Sequence, residues 1–257
     1  MDARSGSPAQ VRPAQPGLLR VCAYLPQTAG DADITWLRVL LVADLLLRAA
    51  ELRNLQVLTV LAFADEGSAA GWEAAAAALG IHPPAARVSL REARISPDGP
   101  IDVHLVSQNA VADGSQGGLV TRVGAAQLPR EAHHDKAMDV AGPGNEPFAI
   151  RLALMSLPYH QPADLTEVML ASARKTVARW QHQVADWAES PSRPIPAQLA
   201  ETIRGAFSEL GTTSLLALLH DLARDADVSA GAKFETFLYA DRVLGLDLPR
   251  DIGQARG

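Results

Sequence analysis

The side chains of this chain that suit chemistry lie mainly between positions 22 and 38. Asp31 and Asp33 stand close together in a turn-forming segment. Two acids in one cleft raise each other's proton affinity and favour a cationic guest, either a divalent ion or an ammonium group. The other interpretation of the same pair is a helix cap and a solvated turn residue. Arg38 suits an anion at this loop, or an ion pair with one of the two carboxylates.

Three neighbouring residues also have both a functional and a structural interpretation. Cys22 is the single cysteine of the chain, and it is either a ligand or nucleophile, or a small buried hydrophobic residue. Trp36 either covers a nucleobase or a small amine, or packs into the protein interior. Tyr24 follows Cys22 in the same apolar run and joins it as a candidate substrate contact.

A β-α-β unit is predicted to position these residues. The apolar run 19–25 is bounded by proline and glycine before it and by proline after it, which favours a short buried strand. From Trp36 onward apolar residues recur at three- and four-residue steps, which predicts an amphipathic helix with Asn54 as a left-handed stop. A second apolar run, 55–63, completes the unit. Open parallel sheets bind ligands above the carboxyl end of a strand and the amino end of the next helix, so a site is expected at residues 22–38.

The remaining sequence divides into a strand-rich part and a helical part. A helix is predicted over 68–79, and short strands are predicted over 87–90, 101–106 and 119–123. From Glu146 the sequence is almost wholly helical, with helices near 198–210, 213–226 and 232–244, and with an apolar stripe that contains Val168, Val177, Trp180 and Val184. The predicted organisation is a disordered tail (1–17), an α/β domain (18–145) and an α-helical bundle (146–257).

Composition limits the class of protein. The chain has 257 residues, of which 48% are hydrophobic, and a formal net charge of -6. No apolar run is long enough to span a bilayer, and a single cysteine excludes an intramolecular disulfide framework, so we expect a cytoplasmic protein with no membrane partner. The acidic balance argues against a broadly basic surface for RNA. Arg174, Lys175 and Arg179 form either a local basic patch or a solvated helix face.

Several segments resemble the cysteinyl-tRNA synthetases, which are class I aminoacyl-tRNA synthetases. Val21-Cys22 is similar to the start of the family's Val-Cys-Gly-Pro-Thr strand end, and residues 33–38 fall where the family carries His-Ile-Gly-Asn/His-Ala-Arg. In the same register Asp44 and Arg48 match an Asp and an Arg of the family, and residues 62–65 resemble Asn-Phe-Thr-Asp. Residues 147–156 and 159–166 are similar to Ala-Leu-Arg-Phe-Phe-Leu-Leu-Ser and His-Tyr-Arg-Ser-Pro-Leu-Asp-Phe-Ser. The resemblance covers most of residues 18–248 and extends to the cysteine ligase of mycothiol synthesis, which has the same scaffold.

This resemblance implies a Rossmann-like (HUP-type) parallel sheet domain followed by a helical bundle. It implies a nucleotide site formed by Asp33, Thr35, Trp36, Arg38 and Lys136, the last in the place of the family's lysine-rich mobile loop. It implies a substrate site formed by Cys22, Tyr24, Asp31 and His104, because His104 lies in a segment similar to the family's Asp-Ile-His-Gly-Gly-Gly. The implied cofactors are ATP and zinc, and the implied partners are a cysteine-like amino acid and a tRNA acceptor end.

The signature positions depart from the family in ways that oppose its chemistry. The family's histidines stabilise negative charge on ATP phosphates during adenylation, and its glycine lets the backbone approach the adenine. Here Asp33 replaces the first histidine, and Thr35 replaces the glycine. A carboxylate opposes the stabilisation of phosphate charge, and a β-branched side chain fills the space that glycine leaves. Cys22 has no second cysteine with which to share a zinc ion, so no metal is expected, and Lys136 alone would neutralise pyrophosphate poorly.

Three functions remain open from the sequence. The first is a shortened cysteinyl-tRNA synthetase paralogue that has lost adenylation and binds a small molecule, a tRNA acceptor end or a protein partner. The second is a working ATP-dependent ligase that joins an amino acid to a small amine, with its nucleotide site rebuilt around Arg38 and Lys136. The third is an interaction module whose helical bundle, with Trp180 and Trp187, supplies a surface for a partner.

Overall fold

The computed structural model describes residues 11–25, 33–63, 72–95, 99–108, 117–129 and 146–254. The chain divides into two compact units. The first unit comprises residues 1–145 together with Tyr159–Thr166, and the second comprises Glu146–Pro158 and residues 167–257. Within the segment predicted as a disordered tail, residues 11–17 are described, and the Ala14 N–H donates to Asp102 Oδ1 at 2.7 Å.

The first unit is built on a five-stranded sheet in which all strands run parallel. The strands are β1 (Leu18–Tyr24), β2 (Gln56–Phe63), β3 (Ala86–Ser89), β4 (Val103–Ser107) and β5 (Leu119–Val123). Their spatial order is β3-β2-β1-β4-β5. Strand β4 is buried along its whole length, as expected where helices cover both faces of a parallel sheet. The predicted α/β fold with a Rossmann-like parallel sheet is confirmed.

Three of the described helices connect the first four of these strands. They are α1 (Thr35–Glu51), α2 (Trp72–Ala78) and α3 (Leu90–Ile95). Helix α1 packs on β1, β2 and β4, whereas α3 packs on β2 and β3. Asn54 follows α1 in the left-handed conformation, with φ of 59°, which confirms its predicted role as a stop.

The strand order creates a crevice at the carboxyl ends of β1 and β4. Strand β1 pairs with β2 on one side and with β4 on the other, so the direction of the crossover connections reverses between β1 and β4. This reversal is the place where ligands bind in open α/β sheets. Cys22 lies in register with Val60 on one neighbour and with His104 on the other.

A short second sheet lies beyond β5. Strands β6 (Ala126–Gln127) and β7 (Ala163–Asp164) pair in parallel. The Gly124 N–H donates to the Tyr159 carbonyl oxygen at 2.8 Å just before this pairing begins. A Cβ atom on Gly124 would lie 2.1 Å from the Gln161 carbonyl oxygen, so only glycine allows this close approach of the two backbones.

The second unit is made of helices. They are α4 (Pro147–Met155), α5 (Glu167–Trp187), α6 (Ala197–Glu209), α7 (Thr212–Arg224), α8 (Ala230–Leu244) and a 3-10 helix (Leu248–Asp251). Trp180 is fully buried, and its ring meets Phe237 edge-on with centroids 5.6 Å apart. Among the described helices, none combines the length and apolar character that a membrane span requires.

The prediction of an apolar stripe on α5 is wrong at the amino-terminal end of this helix. Val177, Trp180 and Val184 are buried, but the Val168 side chain is 79% exposed. Val168 precedes Val177 by nine positions, which at 3.6 residues per turn places the two side chains about 180° apart. Val168 therefore lies on the face opposite to the stripe.

Candidate functional site

The predicted site residues fall into two groups at the crevice of the first unit. Cys22, Tyr24 and His104 lie on the central strands β1 and β4. Asp33, Thr35, Trp36 and Arg38 lie at the amino end of α1 or just before it. Asp31 and Lys136 lie outside the described residues.

Cys22, Tyr24 and His104 share one face of the sheet. Alternation along β1 places Cys22 and Tyr24 on the same side, and the parallel register with β4 adds His104. The Tyr24 hydroxyl lies 3.0 Å from His104 Nδ1, and His104 Nε2 lies 2.9 Å from the Gly117 carbonyl oxygen. Because a carbonyl oxygen only accepts, Nε2 donates its hydrogen to the Gly117 carbonyl oxygen.

The Cys22 thiol is held in its neutral form. Cys22 is buried and packs against Ala62 and Ala93. Burial raises the pKa of the Cys22 thiol to about 11, and a hydrogen bond with the Tyr24 side chain acts more weakly in the opposite direction. A thiolate is the form that attacks substrates or binds metals. At neutral pH Cys22 is therefore a buried apolar residue, which is the structural interpretation of its two alternatives.

Asp33 and Thr35 bond to the main chain around the start of α1. Asp33 Oδ1 accepts the Thr35 N–H at 2.9 Å, so the carboxylate serves the first residue of the helix. The Thr35 hydroxyl accepts the Ala126 N–H at 3.0 Å and thereby ties α1 to β6. Asp33 also forms an isolated bridge with Gln127. The amino end of α1 thus carries a carboxylate of the chain itself.

Arg38 points at backbone carbonyls. Its side chain is 1% exposed, and Nη1 donates to the carbonyl oxygens of Gly124 at 3.4 Å, Ala125 at 3.2 Å and Gln161. Burial lowers the pKa of the Arg38 guanidinium to about 10. These contacts hold three segments of the first unit together.

Trp36 is buried as well. Its side chain packs into the interior of the first unit, which is the structural interpretation of its two alternatives. Within the described ranges, no three histidine, cysteine or acidic side chains are grouped so that they could hold a metal ion. The polar side chains that β1 and β4 bring together here are a thiol, a phenol and an imidazole.

Sequence reasoning missed a polar cluster elsewhere in the first unit. Asp44 Oδ1 accepts the backbone N–H of His82 at 3.1 Å and lies 2.7 Å from His82 Nδ1, while Asp44 Oδ2 accepts from Arg48 Nε at 2.8 Å. The Arg48 Nη2 group donates to the Gly80 carbonyl oxygen at 2.7 Å. The spacing of Asp44 and Arg48 along α1 was the one available signal, because side chains four apart on a helix meet. His82 gave no signal, since it lies 38 positions from its partner.

The comparisons with known proteins give no relative. No protein-family model matches the chain, and no curated protein matches it with a significant score.

Proposed function

We propose that this chain is a cysteinyl-tRNA synthetase-like protein that does not form aminoacyl-adenylates and that uses the carboxyl edge of its parallel sheet to bind an uncharged small molecule. The single observation that carries the proposal is the hydrogen bond between the Asp33 carboxylate and the N–H of Thr35. It lies at the position where the family resemblance would put a nucleotide phosphate.

Electrostatics favours the loss of the phosphate site. The amino end of a helix attracts anions because its first N–H groups and its dipole present partial positive charge. Asp33 already supplies a negative charge to that end of α1. An incoming phosphate would meet both a carboxylate and one N–H fewer, and like charges in a partly dry cleft repel strongly.

The state of Arg38 supports the same conclusion. In the working-ligase alternative Arg38 would bind the nucleotide, yet its Nη1 group donates to three carbonyl oxygens. Releasing it would break hydrogen bonds made by a buried charged donor, each of which contributes about 1.5–3 kcal/mol. Lys136, the other residue of that alternative, lies outside the described residues.

Cys22 and Tyr24 favour an uncharged ligand, because the Cys22 thiol stays protonated at neutral pH and the Tyr24 hydroxyl forms hydrogen bonds. Tyr24 is partly buried at the end of β1, and its hydroxyl is oriented by His104. An oriented hydroxyl in an apolar setting fixes the direction of a ligand without requiring charge on it. The interaction-module alternative keeps only one of its two tryptophans, because Trp180 is completely buried whereas Trp187 is half-buried against Phe237.

An exchange assay and a binding assay together test the proposal. We expect no amino-acid-dependent exchange between ATP and pyrophosphate with any of the twenty amino acids, and no rise in melting temperature with ATP. Asp33→Asn keeps the side-chain oxygen and removes the charge, so we expect this variant to gain a measurable thermal shift with ATP. Asp164→Asn is the matched control, because Asp164 is exposed in the same unit. Exchange with cysteine by the unaltered protein would overturn the proposal.

A further inference from the structure

A small recess lies between α1, α2 and β2, on the sheet face opposite to Cys22. Its lining includes Asp44, Thr59, Trp72 and His82 among apolar side chains such as Leu61. Thr59 lies in register with Val21 on β1, one position away from the Cys22 register, so the two side chains point to opposite faces. The recess is therefore separate from the candidate site described above.

Two polar atoms of this lining are buried without a hydrogen-bond partner. They are the Thr59 hydroxyl oxygen and the Trp72 indole nitrogen. Trp72 is only 6% exposed, and its ring packs against Phe63. Native proteins satisfy nearly all buried donors and acceptors with protein groups or with ordered water. Two such atoms in one recess point to a shared partner.

The Asp44–His82 pair supplies further polar capacity to the same recess. A carboxylate has about four acceptor positions. The Asp44 carboxylate accepts from the His82 backbone N–H and from Arg48 Nε, so this side of the recess is polar.

We propose that this recess binds a single water molecule, which accepts a hydrogen bond from Trp72 Nε1 and is hydrogen-bonded to the Thr59 hydroxyl. The recess has a volume of about 10 Å³. This is about the least space that holds one water, which needs two to four polar partners. The bound water joins Thr59 of β2 to Trp72 of α2.

The sign of the change in melting temperature caused by one substitution distinguishes a hydrated recess from a dry one. Thr59→Val removes the hydroxyl and keeps the shape of the side chain. If the hydroxyl binds the water, we expect the melting temperature to fall by about 2–4 °C. If the recess is dry, the substitution removes an unsatisfied hydroxyl, and the melting temperature stays unchanged or rises. Thr213→Val, at an exposed position on α7, is the matched control and should leave the melting temperature unchanged.

A crystal structure of the unaltered protein gives the second, independent measurement. We expect water density within hydrogen-bond distance of both Trp72 Nε1 and Thr59 Oγ1, and we expect it to disappear in Thr59→Val. An unchanged or raised melting temperature in Thr59→Val, or a recess without such density, would overturn the proposal.

Discussion

Two buried arginines, one in the α/β unit and one in the helical unit, both donate hydrogen bonds to main-chain carbonyl oxygens. Arg38 lies beside the candidate site and donates to three carbonyl oxygens of the first unit. Arg151 lies in the helical unit, is fully buried, and donates from Nε to the Leu244 carbonyl oxygen at 2.6 Å. Arg151 was never a site candidate, yet it uses its charge in the same way. A buried guanidinium in this protein is therefore a structural crosslink, and its position near a crevice is not enough to make it a ligand-binding group.

The largest expected effect is that of Arg38→Met. The substitution removes a buried charged donor that bonds to the carbonyl oxygens of Gly124, Ala125 and Gln161, so we expect the free energy of unfolding to fall by about 3 kcal/mol. Urea denaturation followed by circular dichroism measures this loss. Arg193→Met, at an exposed position, is the control. A variant of normal stability that loses only ligand binding would contradict the structural role of Arg38.

Gly124→Ala tests the close backbone approach of Gly124 and Gln161, both of which also accept from Arg38. The added methyl carbon would lie 2.1 Å from the Gln161 carbonyl oxygen, which is backbone and cannot swing away. We expect a loss of about 2–3 kcal/mol, as for other overpacked interiors. The control is Gly205→Ala, because a Cβ atom there has nothing within 4 Å. This control should be neutral or stabilising, since alanine is the better helix former.

Arg151→Met sharpens the comparison within the helical unit. Its Nε group donates to the Leu244 carbonyl oxygen at 2.6 Å, and removal of this buried charged donor should lower the free energy of unfolding by about 1–2 kcal/mol. Hydrogen exchange measured by mass spectrometry should show faster exchange in α4 and α8 only. Unchanged stability of Arg151→Met would contradict a structural role for this guanidinium.

Asp33→Ala tests the carboxylate that accepts the Thr35 N–H just before α1. Loss of the hydrogen bond to the Thr35 N–H should lower the free energy of unfolding by about 1 kcal/mol, whereas Asp33→Asn should lower it by only about a few tenths of a kcal/mol. Thermal denaturation of both variants separates the cap from the charge. If Asp33→Ala proves as stable as the unaltered chain, the helix start does not depend on this residue.

Removal of the Cys22 thiol should have the smallest effect on stability at neutral pH. Its pKa is raised from 9.0 to about 11 in the folded chain, so folding favours the protonated form. The stability that this provides is fully present below pH 9 and is lost as the pH rises through about 11. Cys22→Ala should therefore flatten the decline in melting temperature between pH 9 and 11. At pH 8 alkylation of the folded protein should be about 100-fold slower than that of the unfolded chain. Equal rates would contradict the raised pKa.

The sequence predicted the fold better than it predicted the roles of single residues. The apolar runs and the left-handed Asn54 are local signals, and they placed the β-α-β unit correctly. The three helices after residue 196 were predicted to within two residues at each end. Val168 was misplaced because an apolar residue near the start of a helix was counted without its angular position.

The roles of Arg38 and His82 could not be read from local sequence. The carbonyl partners of Arg38 lie 86, 87 and 123 positions away, and they come together only when β5 and the segment before β7 meet. Main-chain acceptors also leave no signature in side-chain identity. Asp31 and Lys136 stay predictions, because both lie outside the described residues.

The return of Tyr159–Thr166 to the first unit has a consequence for synthesis on the ribosome. Strand β7 pairs with β6, and Gln161 supplies an acceptor to Arg38, so the first unit lacks parts of its own interior until that segment has been translated. By then the whole of α4, which belongs to the other unit, has already been made. The nascent polypeptide must therefore complete its two units in an interleaved sequence, and a gene fragment cut at codon 145 would encode a sheet without its last partner strand.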